Sequence, residues 1–248
     1  MPFTFSHPAL VIPLLRGRRR CPWLSATGLI AGSVAPDFEK FFSLRLASSH
    51  SHTLASITYF SLPVALALAF VFHMLVRQPL VAHLPAALQR RFGKYAGFDW
   101  PLCFRQYYWG VLLSIVVGAA SHLLWDSFTH PNAMMRLLPG ATTSGRLGSW
   151  ALNFYQVSGI VNSALGGLAL VLFVWRMPQQ SGGWRPPHRA RQAYWALATL
   201  VAAGLLALWL LVASSHWIDF GITAISASMV GVGVASACFR TSARFPIV

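Results

Sequence analysis

The feature that most limits this chain is a set of five uninterrupted stretches without Asp, Glu, Lys or Arg: residues 54–76, 106–125, 147–175, 192–218 and 220–239. A helix that crosses about 30 Å of hydrocarbon needs about 20 apolar residues, and each stretch supplies them. Charged residues make up 10% of the 248, against about 25% in a typical soluble domain, and hydrophobic residues make up 56%. That composition excludes an ordinary soluble enzyme, a disordered chain and a fibrous repeat. The expected fold is an all-α integral membrane protein. One helical bundle uses residues 1–248, with long transmembrane helices at 54–76, 106–126, 158–175, 193–213 and 220–239.

A short helical hairpin is expected over residues 1–36. Its arms, 3–15 and 24–36, are too short to cross the bilayer at 1.5 Å per residue. The second arm is rich in small residues (Ser25, Ala26, Gly28, Ala31, Gly32, Ser33), which let helices approach closely in lipid. Pro63 is expected to kink the first long span. The connectors 77–105 and 127–156, and the polar segment 40–53, read as loops. Trp125, Trp175, Trp195 and Trp217 stand at span ends, as interface anchors do.

The net charge of +14 arises from 19 Lys and Arg against five Asp and Glu. The basic residues lie in the connectors, so lipid headgroups rather than nucleic acid are the expected partner. Fifteen of the 19 fall in the Arg16–Arg20 cluster, 77–105, 176–191 and the C-terminal tail. These segments are expected on the cytoplasmic side. The alternate set (1–6, 38–53, 127–157 and 214–219) is expected outside, at the cell membrane of a bacterium. The Arg cluster follows the first apolar stretch instead of preceding it, which argues against a secretory signal. Cys21, Cys103 and Cys238 have neither metal spacing nor a disulfide framework. No feature specifies an oligomeric state.

Against this apolar background four polar groups stand out, all on the expected outer side. They are His7; Asp37 with Glu39; His50 with His52; and His122, Asp126 and His130. A hairpin brings its entrance and exit together, so His7 and Asp37 should be neighbours. His122 and Asp126 are four apart and share a helix face. Ionisable groups at membrane depth cost about 2.5–3.5 kcal/mol on insertion scales and persist when paired or ligating. Imidazoles and carboxylates together suit a divalent metal such as Zn²⁺ or Mn²⁺. His7, Asp37, His50, His52, His122 and Asp126 are therefore the metal-ligand candidates, with Glu39 and His130 as catalytic proton-transfer candidates. His73, His83, His188 and His216 are assigned to interfaces or loops. Asn153, Gln156, Asn162 and Ser163 add polarity at the third span, for packing or as a surround to the site.

The opening Met1-Pro2-Phe3-Thr4-Phe5-Ser6-His7-Pro8, with Ala35-Pro36-Asp37-Phe38-Glu39, Ser51-His52-Thr53-Leu54 and the segment from Gly118 to Pro131, resembles the domain-of-unknown-function family 4184 of bacterial membrane proteins. The resemblance covers nearly the whole chain. The motif order is also similar to that of inner-membrane metal-dependent hydrolases. Carried over by position, that likeness implies His7, Asp37, His52, His122 and Asp126 at a metal site. Those hydrolases have a further His four residues before the position of His52, where this chain has Ser48; His50 is the residue that would take its place. Two functions follow as expectations. One is a metal-dependent hydrolase acting on a phosphoester or lipid-linked substrate at the outer face. The other is a non-catalytic membrane protein with a metal-stabilised or lipid-binding polar cluster.

Overall fold

A computed structural model describes residues 3–17, 23–46, 50–129, 144–147, 150–180, 185–212 and 217–240. His130 and His216 lie outside the described residues. Five helices are long and apolar enough to cross a membrane: α2 (Ile57–His83), α3 (Trp100–Thr129), α4 (Phe154–Trp175, apolar from Gln156), α5 (His188–Val212) and α6 (Trp217–Cys238). Before them come a 3-10 segment, Thr4–Val11, running into the short helix Ile12–Gly17, and helix α1 (Ala26–Val34). The expected N-terminal hairpin is therefore helical, with its first arm mainly in the tighter 3-10 form.

The connectors hold more structure than expected. Helix α2 continues past Val76 to His83, and Ala86–Phe92 forms a further short helix. Helix α3 begins at Trp100, where Asp99 Oδ1 accepts a hydrogen bond from Leu102 N at 2.9 Å and Pro101 occupies a first-turn position that needs no N–H. It departs from helical geometry at Tyr107 (φ −129, ψ 31). The polar segment after Asp37 forms a helix, Phe38–Ser43, ended by Leu44 at φ 55. The 127–156 connector carries a short antiparallel ladder, Ser144–Leu147 with Trp150–Asn153. Two π-helical turns, Ile57–Ser61 and Phe72–Val76, stand just upstream of Pro63 and Pro79, so wider turns accompany the missing proline N–H groups.

The chain divides into two compact units. The first comprises Met1–Asp37, Ser49–Leu66 and Tyr107–Arg176. Its centre is the packing of α1 on α3. Ser25 caps α1, its Oγ accepting from Gly28 N at 3.1 Å, and Ser25 N donates to Ser114 Oγ at 2.9 Å. A Cβ on Gly32 would collide with the carbonyl of Ile115, and one on Gly118 with the carbonyl of Leu29. The two backbones meet across these glycines. That approach brings the C-terminal end of α1, and Asp37 beyond it, beside His122 and Asp126 of α3. Trp125 serves this packing, its Nε1 donating to Asn162 Oδ1 of α4 at 3.0 Å.

The second unit comprises Phe38–Ser48, Ala67–Gln106 and Met177–Val248. Helices α5 and α6 pack closely, Gly231 against the carbonyl of Ala198, and Tyr194 Oη lies 2.9 Å from Ser236 Oγ. His83 is buried here, against the interface or loop role expected for it. Its ring stacks on Tyr194 at 4.4 Å and its carbonyl accepts from Trp195 Nε1 at 2.9 Å. Trp195 is thus a packing residue, whereas Trp175 and Trp217 are exposed. Asp219 Oδ1 accepts from Leu46 N at 2.7 Å, and Ser226 Oγ donates to the carbonyl of Phe41 at 3.0 Å.

Close helix approach makes a measurable demand on stability. Gly32→Ala should destabilise the protein by about 1–3 kcal/mol through overpacking. Gly204→Ala, where a Cβ meets nothing within 4 Å, should leave stability unchanged or raise it by about 0.5–1 kcal/mol. Thermal unfolding midpoints in detergent check the pair.

Candidate metal centre

Three segments of the first unit deliver the polar cluster. Asp37 closes the 3-10 turn Ala35–Asp37 that follows α1. His52 sits in the turn leading into α2. There Thr53 N donates to Ser56 Oγ, Ser56 N donates to Thr53 Oγ1, both at 3.1 Å, and Ser56 Oγ donates to the carbonyl of Ser51 at 2.7 Å. His122 and Asp126 stand one turn apart on α3. Their ligand atoms form the one group among the described residues fit to hold a metal ion: Asp37, His52, His122 and Asp126, with all four atoms within 4.8 Å of one another.

The distances are specific. His52 Nε2 lies 3.3 Å from Asp37 Oδ1 and 3.5 Å from Asp126 Oδ2. His122 Nε2 lies 3.7 Å from Asp37 Oδ1 and 3.4 Å from Asp126 Oδ2. Four ligands at about 2.1 Å from one cation, at the tetrahedral angle, are separated by about 3.4 Å. The four nitrogen–oxygen separations are close to that figure, as neighbours around one cation would be, while the group as a whole spans up to 4.8 Å. His122 Nε2 is buried and makes no hydrogen bond in the protein, a position that a cation would satisfy.

Each imidazole of the cluster is braced through its other nitrogen. His122 Nδ1 donates to the carbonyl of Ser33 at 2.8 Å, and His52 Nδ1 is 2.8 Å from Ser51 Oγ. Such partners orient a ligating imidazole and fix its tautomer. The carboxylates are held from outside the group as well. Asp37 Oδ2 accepts from Thr4 Oγ1 at 2.5 Å, and Asp126 Oδ1 lies 3.2 Å from His7 Nε2. Side-chain exposure is 1% for Asp37, 0% for His122 and 8% for Asp126, but 18% for His52, so the His52 ring reaches the surface while its Nε2 stays buried.

The structure thus brings Asp37, His52, His122 and Asp126 together and places His7 beside them, its ring stacked on His122 with centroids 3.9 Å apart. His50 is exposed, and its carbonyl accepts from Tyr59 Oη at 2.6 Å. Glu39 is half-buried in the first turn of the helix Phe38–Ser43 in the second unit. Thr4, Ser33 and Ser51 are the additions that motif reading did not supply. Ser51 adjoins His52 and Thr4 precedes His7 by three, so both carried a positional signal. Ser33 acts through its carbonyl, which no side chain announces.

Fold and site together define a helical membrane protein with a four-residue group that could hold a metal ion. The chain belongs to the family described as Domain of unknown function (DUF4184), which matches residues 1–243. No curated protein and no solved structure matches the chain.

Removing Asp126 takes one of the four ligand groups and leaves His7 without the carboxylate beside it. Asp126→Ala should lose bound metal and lower the thermal midpoint, whereas His50→Ala should keep both. Elemental analysis of detergent-purified protein, alongside unfolding curves, checks the comparison.

Proposed function

We propose that this chain is a metal-dependent membrane hydrolase acting on a phosphoester or lipid-linked substrate at the non-cytoplasmic face of the cell membrane. The observation that carries the proposal is the four-atom group, two carboxylates and two imidazoles whose ligand atoms lie within 4.8 Å of one another. Two carboxylates and two imidazoles suit a divalent transition metal such as Zn²⁺ or Mn²⁺. Asp37 and Asp126 would hold the cation with two negative charges, and His52 and His122 with neutral nitrogens. A divalent ion bound there supplies Lewis acidity and brings the pKa of a bound water down to about 7.

The chain's own groups do the rest. The His52 ring is the part of the group that reaches the surface, and a substrate would approach past it. Phe3 and Phe5, exposed on either side of Thr4 with their rings 5.5 Å apart, offer an aromatic surface for an acyl chain. Glu39, two residues beyond Asp37, and His130, next after Thr129, are the proton-transfer candidates outside the ligand group. The outer-face assignment draws on the Lys and Arg asymmetry between connectors.

A second reading has its own support. Four protein ligands would fill a four-coordinate site, which is the habit of structural zinc sites, whereas catalytic ones keep a position open. One assay separates the two. Purified protein loaded with Zn²⁺ or Mn²⁺ is offered phosphoesters and phospholipids. The hydrolase predicts turnover that a chelator abolishes and metal restores, and that Glu39→Gln lowers by a factor of about 10²–10⁴ while metal content stays constant. Tight metal binding without turnover across the panel establishes the scaffold instead.

A further inference from the structure

The N-terminal 3-10 segment takes one oxygen from each buried carboxylate. Thr4 Oγ1 donates to Asp37 Oδ2, and His7 Nε2 reaches Asp126 Oδ1. The other oxygen of each, Asp37 Oδ1 and Asp126 Oδ2, lies between the Nε2 atoms of His52 and His122. The division is the same on both sides. Each carboxylate has one oxygen in the four-atom group and one on the N-terminal segment.

The segment owes its own position to contacts away from the group. Phe3 N donates to Ser163 Oγ of α4 at 2.7 Å, and Ser6 lies so close to Gly166 that a Cβ there would come within 2.8 Å of the Ser6 Cβ. His7 has its Nδ1 3.2 Å from the carbonyl oxygen of Thr4 and its ring stacked on His122. A clamp fixed elsewhere can set the angle of both carboxylates before any ion arrives, and pre-orientation of ligands by outer partners raises metal affinity.

We propose that Thr4 and His7 are a positioning pair that aims Asp37 and Asp126 into a four-coordinate centre, and that His7 is not itself a ligand. The inference rests on the metal centre of the proposed function but not on hydrolysis, so absence of turnover leaves it standing. It revises the ligand role expected for His7 from motif position.

Cobalt(II) provides the test, because its visible spectrum reports coordination number and donor set. Full-length protein in detergent is titrated with Co²⁺ as wild type, Thr4→Val, Thr4→Ser, His7→Ala, His7→Gln and His122→Ala. The expected result is a wild-type tetrahedral spectrum at one cobalt per chain. Thr4→Val and His7→Ala should bind about 10–100-fold more weakly with unchanged band positions and intensities at saturation. Thr4→Ser restores the hydroxyl, and His7→Gln restores an N–H donor, so both should recover most of the affinity. His122→Ala, a ligand change, should alter the spectrum itself. A spectrum that changes in His7→Ala as it does in His122→Ala makes His7 a fifth ligand and overturns the proposal. Unchanged affinity in Thr4→Val and His7→Ala overturns it too. If His7→Ala does not fold, the Thr4→Val and Thr4→Ser pair, with His7→Gln, carries the test. A wild type that takes up no cobalt removes the centre and the proposal together.

Discussion

Two carboxylates withdrawn from water, in a chain with only five acidic residues, are the constraint on which the first unit depends. An isolated buried charge costs several kcal/mol even after relaxation, and excellent geometry with further hydrogen bonds is needed to offset it. Asp37 and Asp126 meet that demand through Thr4, His7, His52 and His122, drawn from three distant parts of the sequence. Asp99 and Asp219 have simpler duties, each accepting from a backbone N–H. The two acids of the cluster are set apart by converging on imidazoles instead.

Packing supplies the precision. Metal coordination tolerates displacements of about 0.2 Å, which side-chain adjustment alone cannot provide across separate segments. The glycines of α1 and α3 let the two backbones touch, and so fix the Ser33 carbonyl against His122 and place Asp37 across from Asp126. Helix α4 contributes from its other side, where Ser163 holds the N-terminal segment and Asn162 holds Trp125. Polar residues that look incidental in the sequence of a membrane helix thus act as fasteners around a charged centre.

The spans were legible because lipid imposes a long apolar run, a signal that survives every local irregularity. Their ends were not. Helix α2 passes through Arg77 to His83, and α3 starts at Trp100, because capping by Asp99 and burial of Arg77 and His83 are tertiary or local events that hydropathy does not record. The cluster was legible in the same way as the spans, through charge scarcity: His52, Asp37, His122 and Asp126 stand out where polar groups are costly. The division of roles within it was not, because composition and spacing do not say which carboxylate oxygen meets which partner. His7 shows the difference. In the sequence it reads as a ligand candidate like His52 and His122, and its place on the outer oxygen of Asp126 sets it apart.

The central claim is that Asp37, His52, His122 and Asp126 hold a single divalent ion between them. X-ray absorption at the metal edge of zinc-loaded, detergent-purified protein tests it most directly. The account predicts one zinc per chain with four nitrogen or oxygen neighbours at about 2.0–2.1 Å, no sulfur, and the outer-shell signature of two imidazoles. Six neighbours, a sulfur neighbour, or zinc lost on simple dialysis would contradict it.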